Sequence, residues 1–208
     1  MTDRNQEGIQ QVADTILERV GFGEATQSDV PQQEQTEQCI HFACLYHTED
    51  EKHWKRLNLH LEVVSWQEQR YHHSCGIAWH VHRLSTPHAN DPANQVEYAT
   101  LRQAHVLLLL LSVDSLAALK SDQELSHVLR EKALEDRPAG CPALVGILVR
   151  PAAWKEMEIG PWGVILPANR RPLAMWRERD AACIEIAERV RTWIRRANTL
   201  LDRGMETA

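Results

Sequence analysis

Val106 to Leu111 reads V-L-L-L-L-L, an apolar run with no polar alternation, closed by Ser112 and followed by a helical stretch that carries Glu124 near its start. A strand buried on both faces has this composition, and such strands belong to parallel sheets covered by helices. In open parallel sheets ligands bind where strand carboxyl ends meet helix amino ends. Ser112 and Glu124 are therefore expected at the functional edge.

Strand-like and helix-like blocks alternate around this run. Ile40 to Tyr46 predicts a first strand. Thr48 to Val64 predicts a helix with Trp54, Leu57, Leu61 and Val64 on one face, opened by a Thr48…Glu51 capping box. Ile77, Trp79 and Val81 alternate in a second strand over Gly76 to Val81. After the loop from Ser85 to Pro92, a helix places Ala93, Val96, Leu101 and Ala104 on one side. Leu125, Val128, Leu129 and Ala133 face inward from the helix after the Leu-rich strand, and Pro138-Ala139-Gly140 ends it. Ala143 to Val149 predicts a fourth strand, Pro172 to Trp176 a short fifth. A final helix turns Ala187, Val190, Ile194, Ala197 and Leu201 inward.

Strands separated by helices pair in parallel, because each right-handed crossover returns the chain to the same end of the sheet. The expected fold is α/β: an open, flavodoxin-like five-stranded parallel sheet with helices on both faces. In the order 2-1-3-4-5 the switch point falls between strands one and three, so Tyr46 to Asp50 and Ser112 to Ser115 line the crevice. Ahead of this domain, Ile9, Val12, Ile16 and Val20 recur at helical spacing and predict an N-terminal helix. Gln27 to Gln38 is too polar to bury a core and reads as a linker. The division expected is residues 1–38 for helix and linker, 39–202 for the domain and 203–208 for a tail.

A chain of 208 residues with 43% hydrophobic and 25% charged residues fits one globular domain with extensions. Its formal net charge of −6 lacks the basic footprint of a nucleic-acid binder. No run is long enough to cross a bilayer and no apolar leader follows Met1, so a cytoplasmic location with no membrane partner is expected. Cys39, Cys44, Cys75, Cys141 and Cys183 are scattered and never form C-x-x-C, a pattern of reduced thiols. His72, His73, His80, His82 and His88 crowd one region, but no Cys or carboxylate completes a ligand spacing, and no metal is expected. Gly-rich phosphate loops and G-x-S-x-G elbows are missing from the sequence.

Four segments together resemble the bacterial branch of the TIR (Toll/interleukin-1 receptor) domain family, over roughly Cys39 to Ile194. F-A-C-L-Y-H-T-E-D-E, from Phe42 to Glu51, resembles the family's strand-Tyr-Ser-x-x-Asp motif. Trp79 in G-I-A-W-H resembles the Trp of its second strand region. L-R-Q-A-H-V-L-L-L-L-L-S, from Leu101 to Ser112, is similar to its helix-Ala-Asp-strand-Ser block. L-V-G-I-L-V-R-P-A-A-W and L-P-A-N-R-R-P-L-A-M-W, within Leu144 to Trp176, are similar to its fourth strand, Arg-Pro-x-x-Trp turn and Leu-Pro…Pro…Trp ending. His47 stands where the family usually has Ser, and His105 where it often has Asp. Near Glu124, Ala118, Lys120 and Ser121 replace the Ser, Trp and Cys of plant-type members.

The resemblance implies one of two activities: assembly as an interaction module, or cleavage of NAD into nicotinamide and ADP-ribose products in a signalling or defence system. For the enzyme it implies Glu124 as the catalytic residue, with Tyr46, Asp50, Trp79 and Ser112 around the substrate. NAD is then a substrate and no cofactor is implied. The partners implied are NAD or a related nucleotide, other TIR domains by self-association, and a sensor protein. A third alternative is a sensor that binds a nucleotide without cleaving it.

Each candidate also has a plain structural explanation. Ser121-x-x-Glu124 has the spacing of a capping box, in which the glutamate only satisfies a helix amide. The macrodipole would nonetheless keep a carboxylate there ionised, and a fixed anion stabilises the oxocarbenium-like centre left by departing nicotinamide. Asp50 equally supports a helix start, and alternation with Ile77 and Val81 explains Trp79 as core. Trp154, Trp162 and Trp176 fit the closing of a domain edge better than a ligand platform.

Overall fold

The structure, a computed structural model, describes residues 39–71, 76–84, 97–135, 141–156 and 164–206. The expected N-terminal helix and linker lie outside the described residues, as do Ala93 and Val96 and the histidines 72, 73 and 88. All elements below belong to the unit Glu37–Ala208.

Five strands, β1 (Cys39–His47), β2 (Gly76–Leu84), β3 (Val106–Leu111), β4 (Leu144–Leu148) and β5 (Val164–Leu166), form one sheet in the order β2-β1-β3-β4-β5. Every pair is parallel, with Phe42 opposite both Trp79 and Val106, and Leu108 opposite Val145. This is the doubly wound order expected from the alternation of strands and helices.

Two helical layers cover the sheet. Helices α1 (Glu51–Tyr71) and α5 (Arg179–Glu206) pack on Ile40, Phe42, Cys44 and Tyr46 of β1 and Leu108 and Leu110 of β3. Helices α2 (Tyr98–Gln103), α3 (Val113–Ser121) and α4 (Gln123–Leu134) supply or flank the other core, which takes Ala43, Leu45, Leu107, Leu109 and Leu111. Alternation along each strand thus feeds both cores, and β3 is buried from end to end. At about 1.5–3 kcal/mol for each fully buried Leu side chain, β3 is the strongest local source of stability.

Polar clamps tie α1 to α5. Arg195 grips the buried Glu68 carboxylate with bonds of 2.9–3.1 Å, and Arg56 binds Asp180 through two bonds of 2.6 Å. The Arg56 and His60 bonds hold Asp180 down at about 2.

Several local expectations are corrected. The fifth strand is Val164–Leu166, whereas Leu173–Met175 forms a 3-10 turn. Pro172 has no N–H to give a sheet ladder, while Val164 continues the register beside Val145. Thr48–Asp50 is also a 3-10 turn, and its cap is His47, whose Nδ1 accepts from the Glu49 amide at 3.3 Å in place of the Thr48…Glu51 box. The expected helix continues beyond Val64 to Tyr71. Between β3 and α4 the chain forms the additional helix α3. The final helix runs on to Glu206.

Candidate functional site

Three strand ends meet at the carboxyl edge of the sheet. β1 delivers Asp50 through its 3-10 turn, β3 ends at Ser112, and β4 leads to Arg150. Asp50 and Ser112 have no exposed surface. Ser112 Oγ donates to Asp50 Oδ2 at 2.5 Å, and Arg150 Nε donates to Asp50 Oδ1 at 2.7 Å. Arg150 Nη2 also donates to Asp114 in the first turn of α3. Both oxygens of Asp50 are therefore occupied, and the bond that Arg150 donates to Asp50 leads the effects that raise the Arg150 pKa.

Ser112 is at the same time the N-cap of α3. Its Oγ accepts from the Ser115 amide at 3.2 Å, and Ser115 Oγ accepts from the Ser112 amide at 2.8 Å. The predicted Ser121…Glu124 box at the next helix does not form. Ser121 instead donates to the Ala118 carbonyl, and the N-cap of α4 is Asp122, whose Oδ1 accepts from the Leu125 amide at 2.9 Å.

Glu124 is thereby relieved of capping. Its side chain, 54% exposed in the first turn of α4, lies 3.6 Å from Arg102 of α2. Arg102 also reaches Glu131 at 3.3 Å. Tyr98 of α2 donates to Asp122 at 2.9 Å, and burial together with that bond and the charges of Asp122 and Glu124 raises its phenol to about 12.

The sheet separates the other two candidates from Glu124. Trp79 lies on Phe42 with ring centroids 4.7 Å apart and donates its indole N–H to Ser65 Oγ at 2.9 Å. Tyr46 stacks on Trp54 of α1 at 5.7 Å and accepts from Arg83 at 3.2 Å. Both belong to the α1/α5 layer, whereas α4 packs on the opposite core. The structure brings Asp50 and Ser112 together and places Tyr46 and Trp79 behind the sheet as seen from α4.

Sequence reasoning placed Asp114 and Ser115 at the crevice only as part of the range Ser112 to Ser115, and it missed Arg150. The available signal was a cation directly after an apolar strand, where carboxylates from the neighbouring strand ends and helix starts are needed to neutralise it. His47, where the resemblance places Ser, is buried with no partner for its Nε2. A cavity of about 290 Å³ lies between α2 and α4, lined by Arg102, Val128, Glu131, Lys132, Leu134 and Glu135. Its polar groups are mixed in sign, and Lys132 reaches across to the Ala104 carbonyl at 2.8 Å.

Of the aromatic candidates, Trp154 lies beneath Arg170 and Lys155, each 5.8 Å from its ring, and Trp176 donates to the Arg171 carbonyl. Trp162 is outside the described residues. Among the described residues no group of three or more His, Cys, Asp or Glu is placed to hold a metal ion, and no helix is long and apolar enough to cross a membrane. Buried Cys44 and Cys183 have raised thiol pKa values, Cys183 about 11, because burial disfavours the thiolate. Neither a family model nor a curated protein matches the chain.

Proposed function

We propose that the chain is a TIR-type domain that cleaves NAD to nicotinamide and ADP-ribose products, with Glu124 as its catalytic residue, in a signalling or defence system. The observation that carries this reading is the division of labour at the start of α4: Asp122 caps the helix, and Glu124 keeps an accessible carboxylate beside it. That carboxylate sits at the positive end of the helix macrodipole.

In the reaction the bond between C1′ of the ribose and the nicotinamide nitrogen breaks. Its electron pair leaves with nicotinamide and neutralises the pyridinium, and positive charge develops at C1′. Glu124 stabilises that charge or accepts a hydrogen bond from a ribose hydroxyl. Water then bonds to C1′ and releases a proton. Asp50, Ser112 and Arg150 act here as the rigid frame of the carboxyl edge, and Tyr46 and Trp79 support it from behind.

A second reading, a non-catalytic interaction module that self-associates with other TIR domains or docks on a sensor protein, is favoured by one observation. Asp50 and Ser112 are sealed against each other, so neither offers a free atom to a nucleotide. Nicotinamide release from NAD, followed at high protein concentration for the wild type, Glu124→Ala and Glu124→Gln, decides between the two. The enzyme reading expects a loss of at least about a hundredfold in both variants, in the range seen when one electrostatic stabiliser is removed. Equal rates in all three proteins remove it and leave the module.

A further inference from the structure

Three histidines, from β1, the edge strand β2 and the residue before β3, meet beside one another. His41 of β1 and His105, just before β3, share two bonds. The His105 amide donates to the His41 carbonyl at 2.7 Å, and the His41 amide donates to His105 Nδ1 at 3.0 Å. Since a backbone N–H can only donate, Nδ1 of His105 must carry a lone pair, and the proton of the neutral ring sits on Nε2. Protonating His105 puts a second N–H against the first and breaks the bond.

His41 meets His80 of β2 with Nδ1 and Nε2 3.1 Å apart. The ring centroids are 5.4 Å apart and the planes tilted by 15°. The centroid separation exceeds the nitrogen separation by about two ring radii, so the rings lie end to end around a single shared proton. A contact of this length has room for one proton, and a second N–H aimed into it would set donor against donor. The His105 ring stacks on His41 at 5.7 Å.

His82 follows on the same face of β2, its Nε2 buried without a partner. Burial, and then His80, hold it below the usual histidine value, opposed by Glu97 ahead of α2. From the neighbouring helices, the Tyr98 phenol of α2 stays neutral, Arg102 is paired with Glu124 and Glu131, and the Lys132 ammonium of α4 sits on the carbonyl next to His105.

We propose that His41, His80, His82 and His105 form a proton-operated catch: neutral, it fastens the start of β3, and with it α2, onto β1 and β2, and in mild acid it opens and loosens α2 from α4. Because α2 carries Arg102 and the Tyr98 bond to the cap of α4, opening also frees the amino end of α4. No step depends on NAD cleavage.

Amide hydrogen exchange of the intact chain at pH 7.5, 6.5 and 5.5, corrected for the intrinsic rate, tests the catch. Protection of the His41 amide and of residues 98–105 should fall by up to about tenfold per pH unit for each proton bound only in the open form, while α1 and α5 stay protected. In His105→Gln, whose side-chain oxygen accepts from the His41 amide without titrating, protection at pH 7.5 should persist and the fall should flatten. An unchanged slope in that variant, or protection independent of pH in the wild type, overturns the proposal. If the variant does not fold, the ring nitrogen shifts of wild-type His105 still decide: the proton must reside on Nε2 at pH 7.5, and an Nδ1–H tautomer overturns it.

Discussion

Asp50 and Glu124 are both carboxylates at helix starts, yet the structure treats them oppositely. Asp50 has no exposed surface and both oxygens are bonded, to Ser112 and Arg150. Glu124 is more than half exposed and holds only an ion pair of 3.6 Å with a partner that is itself 45% exposed. A buried, fully bonded carboxylate is costly to disturb and is held by three strand ends at once. An exposed pair contributes about 0–1 kcal/mol and leaves the acid available. Residue type and position alone do not distinguish a locked carboxylate from an accessible one; bonding does.

The largest effect expected is from Asp50→Ala, which leaves the buried Ser112 hydroxyl without its acceptor and takes one of the two carboxylates from Arg150, and should lower unfolding free energy by about 3 kcal/mol in urea denaturation. If the loss is under about 1 kcal/mol, Asp50 is not the keystone and the contrast with Glu124 collapses. Ser112→Ala removes a cap and one bond to Asp50, for an expected loss of about 1–3 kcal/mol by the same measurement. At the open end, Asp122→Ala should cost about 1 kcal/mol through the lost α4 cap.

Acid should act more gradually. Burial is the leading cause that lowers the His53 and His82 pKa values. The unfolded chain therefore binds protons first as pH falls. Stability is complete above the unfolded value of 6.5 and declines as pH drops from there through the depressed folded values. A thermal midpoint that does not fall between pH 7 and 5 contradicts this. The smallest stability effect belongs to Glu124→Ala, within about 0.5 kcal/mol of the wild type, although the proposed cleavage should vanish with it. A large destabilisation would turn Glu124 into another frame residue.

Local patterns told most about the strands. The continuous apolar run of β3 and the strand over Gly76–Leu84 are properties of short segments and appear in the sheet, but of the alternating residues Ile77, Trp79 and Val81 only the first two pack on the core, while Val81 is exposed at the edge strand. The fifth strand failed because Val164–Leu166 is only three residues long, while Pro-Leu-Ala-Met-Trp offered a longer apolar window. Asp50 and Ser112 were legible as neighbours because strand order alone brings their edges together. Arg150 was not, since its role depends on bonds spanning 100 residues to Asp50 and 36 to Asp114. Trp79 packs on the core as its spacing from Ile77 suggested, but the burial of Tyr46 behind the sheet was not legible, because parity along a strand says which residues share a face but not which helix covers it.

One short helix carries a disproportionate mechanical role. α2 has six residues and is about 9 Å long, yet α4, about 18 Å long, is fastened by it near both extremities: Tyr98 holds Asp122 at the front, and the carbonyl of Ala104 receives Lys132 at the back. α2 is thus a splint across its longer neighbour. Whatever tugs on the splint, whether a bound partner or a change of charge beneath it, moves the acid-bearing tip and the root of α4 as one piece.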